Sequence, residues 1–172
     1  MNEQAPKPYF CEDHPWYVIL LRWMILTIIF ALGIYILYQL NQMMVWLYIL
    51  YSVFGLTLVL PLARCVYCYY HNKWCNTGWG KLAAYLFKKG DEEKYVPKYP
   101  FAILLYPLWL FPLLVGFVLL LRQRNLFSLM LLLAYVLFLY LEKLILRFVA
   151  CPHCHQRSFC PALPFREKDV AR

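Results

Sequence analysis

The sequence predicts an all-α integral membrane protein with four transmembrane helices, arranged as two tandem helical hairpins. Three observations predict it. Of 172 residues, 63% are hydrophobic and only 15% are charged, with a mean hydropathy of +0.55, whereas a soluble domain carries about a quarter charged residues. The apolar residues are bunched into four runs, each near the roughly 20 residues that cross a bilayer as a helix. A cysteine pattern, Cys65-x2-Cys68-x6-Cys75, recurs as Cys151-x2-Cys154-x5-Cys160, each time where a pair of apolar runs ends.

Taken in order, residues 1–15 form a polar N-terminal segment containing Glu3, Glu12 and Asp13. No small-residue cleavage site follows the first apolar run, so the first span is expected to be retained. Trp16–Tyr38 and Val45–Ala63 make the first hairpin, residues 16–63. The loop 64–99 holds Trp79, Leu82, Ala83, Leu86 and Phe87 at helical spacing. Asn76 and Thr77 are the N-cap candidates and Gly90 the stop. Lys81, Lys88 and Lys89 fall outside the apolar stripe, which predicts a short amphipathic helix in the membrane interface. Asp91–Lys94 reads as a solvated turn, and Pro97 and Pro100 reset the chain. Phe101–Leu121 and Leu126–Ala150 make the second hairpin, residues 100–150. Pro107 and Pro112 are each expected to bend the third span. Residues 151–172 form a cysteine-rich tail, and the 15 Tyr and 6 Trp suit aromatic anchors at both interfaces.

Charge sets the expected topology. The net charge is +8, concentrated in Arg64–Lys98 and the C-terminal tail. The connection Gln39–Met44 has no Lys or Arg, and the other short connection holds Arg122 and Arg124. The excess of basic loop residues on one side predicts a plasma or inner membrane protein with both termini and the long loop in the cytoplasm. The basic residues then serve topology and anionic lipid rather than nucleic acid. An even number of crossings separates the two cysteine clusters, so both emerge on one face. A pseudo-twofold axis along the membrane normal would bring the ends of spans two and four together.

Cys-x2-Cys puts two thiols on one tight turn, which is half of a tetrahedral metal site. The primary expectation is a Cys65, Cys68, Cys151, Cys154 centre that clips the hairpins together, with zinc as the metal. Pro152 suits the tight turn. A cytoplasmic position favours reduced thiols over disulfides. Secondary ligand candidates are Cys75, Cys160, His71 and His155, together with Cys11 and His14 just before span one. For that last pair an ordinary capping turn is the plainer reading. Each half could instead hold its own metal, as Cys65, Cys68, Cys75 and His71, and as Cys151, Cys154, Cys160 with His153 or His155. Thiolates also suit an iron–sulfur cluster. Cys151-Pro-His-Cys154-His155 matches the haem c attachment pattern, although that chemistry belongs to the opposite side of the membrane from the one the charges predict.

Four spans, a short chain and paired cysteines resemble the membrane thiol oxidoreductases of the disulfide-forming, quinone-linked type. The resemblance implies a thiol–disulfide relay. The placement of these cysteines after spans two and four departs from the loop pattern of those families. Both pairs also follow helix C-termini, where the dipole disfavours thiolate. Within the spans, Arg22 and Glu142 are expected to pair as a packing contact, with Lys143 and Arg147 nearer the membrane surface. The sequence holds no phosphate-binding glycine loop, nucleophile elbow or H-E-x-x-H. Its reading is an accessory or scaffold subunit of a larger membrane complex, a redox complex foremost, non-catalytic, with the lipid bilayer and other membrane subunits as partners. An electron-transfer subunit is the alternative.

Overall fold

A computed structural model describes residues 11–156. The chain is an all-helical membrane protein: four helices are long and apolar enough to cross a bilayer, Trp16–Tyr38, Gln42–Tyr67, Pro100–Gln123 and Leu126–His153. No strand occurs among the described residues. The first span is helix α1, Trp16–Tyr38, which starts where Pro15 holds the backbone extended. The second begins as α2, Gln42–Phe54, with the Asn41 side chain accepting from the Met43 N–H. It continues through a π-helical turn, Gly55–Val59, into α3, Leu60–Ala63. The loop carries α4, Trp79–Leu86, and α5, Tyr95–Lys98. The third span enters as a 3-10 helix, Tyr99–Leu105, and becomes α6, Pro107–Gln123. The fourth is α7, Leu126–Ile145, capped by the Asn125 side chain on the Ser128 N–H, and it ends in a second π turn, Leu146–Ala150.

Helix α1 is the central element and packs on α2, α6 and α7. Its buried residues Val18, Arg22, Ile25, Ile29, Gly33 and Ile36 recur every three or four positions, which is one helix face. That face meets Leu108, Val115 and Leu119 of α6 and Tyr135 of α7 in the core. Gly33 lets the two backbones approach: a Cβ there would lie 3.3 Å from Pro112 Cγ. Small residues serve this role where lipid supplies no hydrophobic drive for helix association. The outward faces stay apolar, as at Trp46, Leu50 and Leu126.

Three sequence expectations change. Pro107 stands at the first position of α6, at the junction where the 3-10 entry of the third span becomes an α-helix, and not inside α6. Pro112 does lie inside α6 and leaves the Leu108 carbonyl without its helical donor. Tyr48 Oη on α2 donates to that carbonyl at 2.9 Å, and the neighbouring Tyr51 hydroxyl donates to Leu104 O. Helix α4 is capped by Gly78 at φ +78° rather than by Asn76 or Thr77, and it ends at Phe87, before Gly90. Its Gly80 and Ala83 are buried against the first cysteine turn and α3, so part of the anticipated lipid-facing stripe faces protein. Finally, α1 stands between α2 and α7, so the helices of spans two and four do not themselves converge. The segments that follow them do.

Candidate functional site

The two Cys-x2-Cys motifs fold identically in their backbone. Cys65–Tyr67 and Cys151–His153 are each a single 3-10 turn. Cys68 N–H donates to Cys65 O at 3.3 Å, and Cys154 N–H to Cys151 O at 3.2 Å. The second cysteine of each is extended, at φ −87°, ψ 145° and φ −79°, ψ 130°. The second turn directly follows the π-helical turn Leu146–Ala150, whereas α3 and Arg64 separate the first from the π turn Gly55–Val59.

Beyond the turns the chain closes into one cap at one end of the bundle. Cys68 Sγ donates to Gln156 Oε1 at 3.1 Å. Tyr70 is buried and central: its hydroxyl donates to Cys11 O at 2.8 Å and accepts from the His155 N–H at 3.0 Å. Tyr69 stacks flat on His155, with ring centroids 3.8 Å apart. Cys11 N–H donates to His153 O at 3.0 Å, and His14 N–H to Trp74 O at 2.8 Å. The Asp13 carboxylate accepts from the Trp74 N–H. Trp23 Nε1 on α1 donates to Thr77 O at 3.0 Å. The N-terminal segment, the long loop and the segment after span four are thus tied to each other and to the bundle.

Within this cap the sequence-predicted donors are each held by their own contacts. Cys75 Sγ accepts from the Gly80 N–H at 3.3 Å and lies 3.3 Å from the Thr77 hydroxyl, so it helps cap α4. Burial pushes the Tyr70 phenol up, which keeps it a neutral hydrogen-bonding post. No disulfide links the six described cysteines. Among the described residues no three Cys, His, Asp or Glu side chains stand in the arrangement that holds a metal ion. Cys160 lies outside the described residues.

The four histidines differ sharply. His71 Nε2 is hydrogen-bonded to Phe87 O at 3.1 Å. His155 is stacked on Tyr69, and His153 is exposed. His14 is only 4% exposed, its ring centroid is 5.2 Å from that of Tyr70, and its Nε2 has no hydrogen-bond partner. Burial first, then Arg22 and His153, holds its imidazole below the usual histidine range and therefore neutral. It is no helix cap, since α1 starts at Pro15 without a side-chain cap.

Two helical turns below His14, the anticipated ion pair is present. Arg22 Nε donates to Glu142 Oε1 at 2.9 Å and Nη2 to the same oxygen at 2.5 Å. Both residues are buried, at 6% and 8% exposure, and Glu142 Oε2 has no partner. Sequence reasoning missed Tyr70, Gln156 and the burial of His14. His14 precedes α1, so helical periodicity gave no signal for its burial.

Comparison of the chain with protein-family models, with curated proteins and with solved structures gave no match.

Proposed function

We propose that this protein is a small accessory or scaffold subunit of a larger membrane complex, and that its thiol cap binds one zinc ion as a structural clip on the cytoplasmic face. The observation that supports the reading most directly is the pairing of the two Cys-x2-Cys turns. They share one backbone geometry, they follow spans two and four, and their trailing segments meet at Cys68 and Gln156. Cys65, Cys68, Cys151 and Cys154 are the thiol set these turns offer. A zinc ion bound there supplies a closed, redox-inert cross-link between the hairpins. Among the described residues, the buried charged side chains inside the bundle are Arg22 and Glu142, already paired with each other. That favours packing over transport as their role.

Chelation tests the reading. The protein, purified in detergent, is treated with a strong zinc chelator and then probed with a thiol-reactive maleimide. The reading expects the thiols to become reactive only after chelation, with limited proteolysis then cutting the loop, because metal binding and cap folding are coupled. Thiols that react equally before and after chelation would overturn it.

A further inference from the structure

One face of α2 does not close on the third span. Met44, Leu47, Leu50 and Phe54 of α2 and Pro107 and Phe111 of α6 border a groove of about 710 Å³ in the lipid-facing surface. That volume falls among small-ligand sites, about 300–1,000 Å³. Tyr48 and Tyr51 also line it and reach across to the backbone of the third span. Tyr48 Oη donates to Leu108 O at 2.9 Å, and Tyr51 Oη donates to Leu104 O. Both phenols thus spend their donors on protein, and the rest of the lining is hydrocarbon, aromatic ring and thioether. Beyond Phe54 the two spans touch: a Cβ at Gly55 would lie 3.3 Å from Leu105 Cδ2 and 3.6 Å from Leu108 Cδ1. At the other end Met44 lies in the first turn of α2, next to its capped start. The groove therefore opens near the headgroup level of the leaflet opposite the cap.

We propose that this groove binds one acyl chain of a bilayer phospholipid. Its composition selects a flexible chain over a partner's helix. Helices that dock within lipid approach through Gly, Ala, Ser or Thr, and this bundle does so internally, at Gly33 against Pro112 and at Gly116 against Leu132. Among the described residues that line the groove there is no such small residue. A straight helix would ride over these bulky side chains, whereas an acyl chain bends to follow them. None of the described lining residues holds a buried polar side-chain atom without a partner, so nothing in the groove calls for a polar ligand group. The groove is also continuous with the lipid-facing surface, since Trp46 and Val53 beside it on α2 are exposed. A bound chain fills the gap between spans two and three and covers the phenols that serve the third span. The proposal concerns the membrane face and does not rest on the metal clip.

Photolabelling tests it. The full-length protein is reconstituted into phosphatidylethanolamine and phosphatidylglycerol vesicles doped with a phosphatidylcholine that carries a diazirine on one acyl chain, and the adducts are mapped by mass spectrometry. Labelling at Leu47, Leu50, Phe54 and Phe111 is expected to exceed that at the comparably exposed Leu126 and Leu133 of α7 at least tenfold. The wild-type map needs no variant to fold. Leu47→Trp and Leu50→Trp fill the groove from positions 50% and 69% exposed, outside the core. Each is expected to abolish the excess labelling, and Leu126→Trp to leave it unchanged. Adducts spread over all apolar faces in proportion to exposure would overturn the proposal, because lipid would then be solvent there and not a ligand. A groove closed to the label and cross-linked instead to a second copy of the chain or to another subunit would overturn it as well.

Discussion

Tyr48 Oη donates to the Leu108 carbonyl at 2.9 Å, and that carbonyl is the one Pro112 leaves without a helical donor. The third span thus carries a proline in mid-membrane because a phenol from α2 meets the orphaned oxygen. In the bilayer no water is available to do so. Tyr48→Phe is expected to cost about 1 kcal/mol of stability. Pro112→Ala restores the N–H, so the cost of Tyr48→Phe is expected to shrink on that background. Thermal or denaturant unfolding of the four proteins measures the coupling, and strictly additive effects would contradict the assignment.

The Arg22–Glu142 pair is buried on both sides. Removing one partner strands the other charge, which costs about 3–5 kcal/mol for a buried pair, whereas replacing both by apolar residues often costs little. Arg22→Leu and Glu142→Leu are each expected to reduce folded yield sharply, and the double variant to recover most of it. If the double variant were as impaired as the worse single, the pair would have a role beyond packing.

Gly80 is where α4 presses on the cap. A Cβ at this position would lie 2.1 Å from Tyr70 O and 2.5 Å from Lys73 O, both backbone atoms that cannot swing aside. Gly80→Ala is expected to push α4 off the loop at a cost of about 1–3 kcal/mol. Accelerated amide exchange across residues 70–80, with the spans unchanged, is the measurement that checks it. Unchanged exchange would mean that the contact between α4 and the loop is looser than the packing implies.

Cys68 and Cys154 belong to the thiol set proposed for the zinc clip. Cys68→Ser and Cys154→Ser are each expected to lose bound zinc and to expose Lys73, Lys81 and Lys88 to trypsin, while the four spans persist. Full metal retention in either variant would remove that residue from the centre.

Much of this architecture is legible in the sequence, for physical reasons. The spans are readable because a bilayer demands long unbroken apolar runs, and the first, Trp16–Tyr38, is found with the boundaries expected. Arg22 with Glu142 is readable because charges in apolar spans have few ways to be satisfied. Asn76 and Thr77 misled because capping chemistry favours them, whereas the loop's path needs the positive φ that Gly78 supplies. Pro107 marks a change of helix type within the third span, which proline position alone does not distinguish from a kink. The tyrosine contacts to Leu108 and Leu104 are not readable, since they depend on which helices become neighbours. The same holds for the cap. Cysteine spacing flags the two turns, but Tyr70 and His14 matter through contacts between residues far apart in sequence, and no local pattern encodes these.

On the proposed function the cysteine cap is a metal centre. The most direct measurement is elemental analysis, with an absorption spectrum, of the full-length protein purified in detergent without added metal. About one zinc per chain in a colourless protein is the predicted result. A Soret band, or brown absorbance with iron and sulfide, would contradict the zinc clip and make the cap an electron-transfer centre. Metal-free protein with reduced thiols would contradict metal binding altogether.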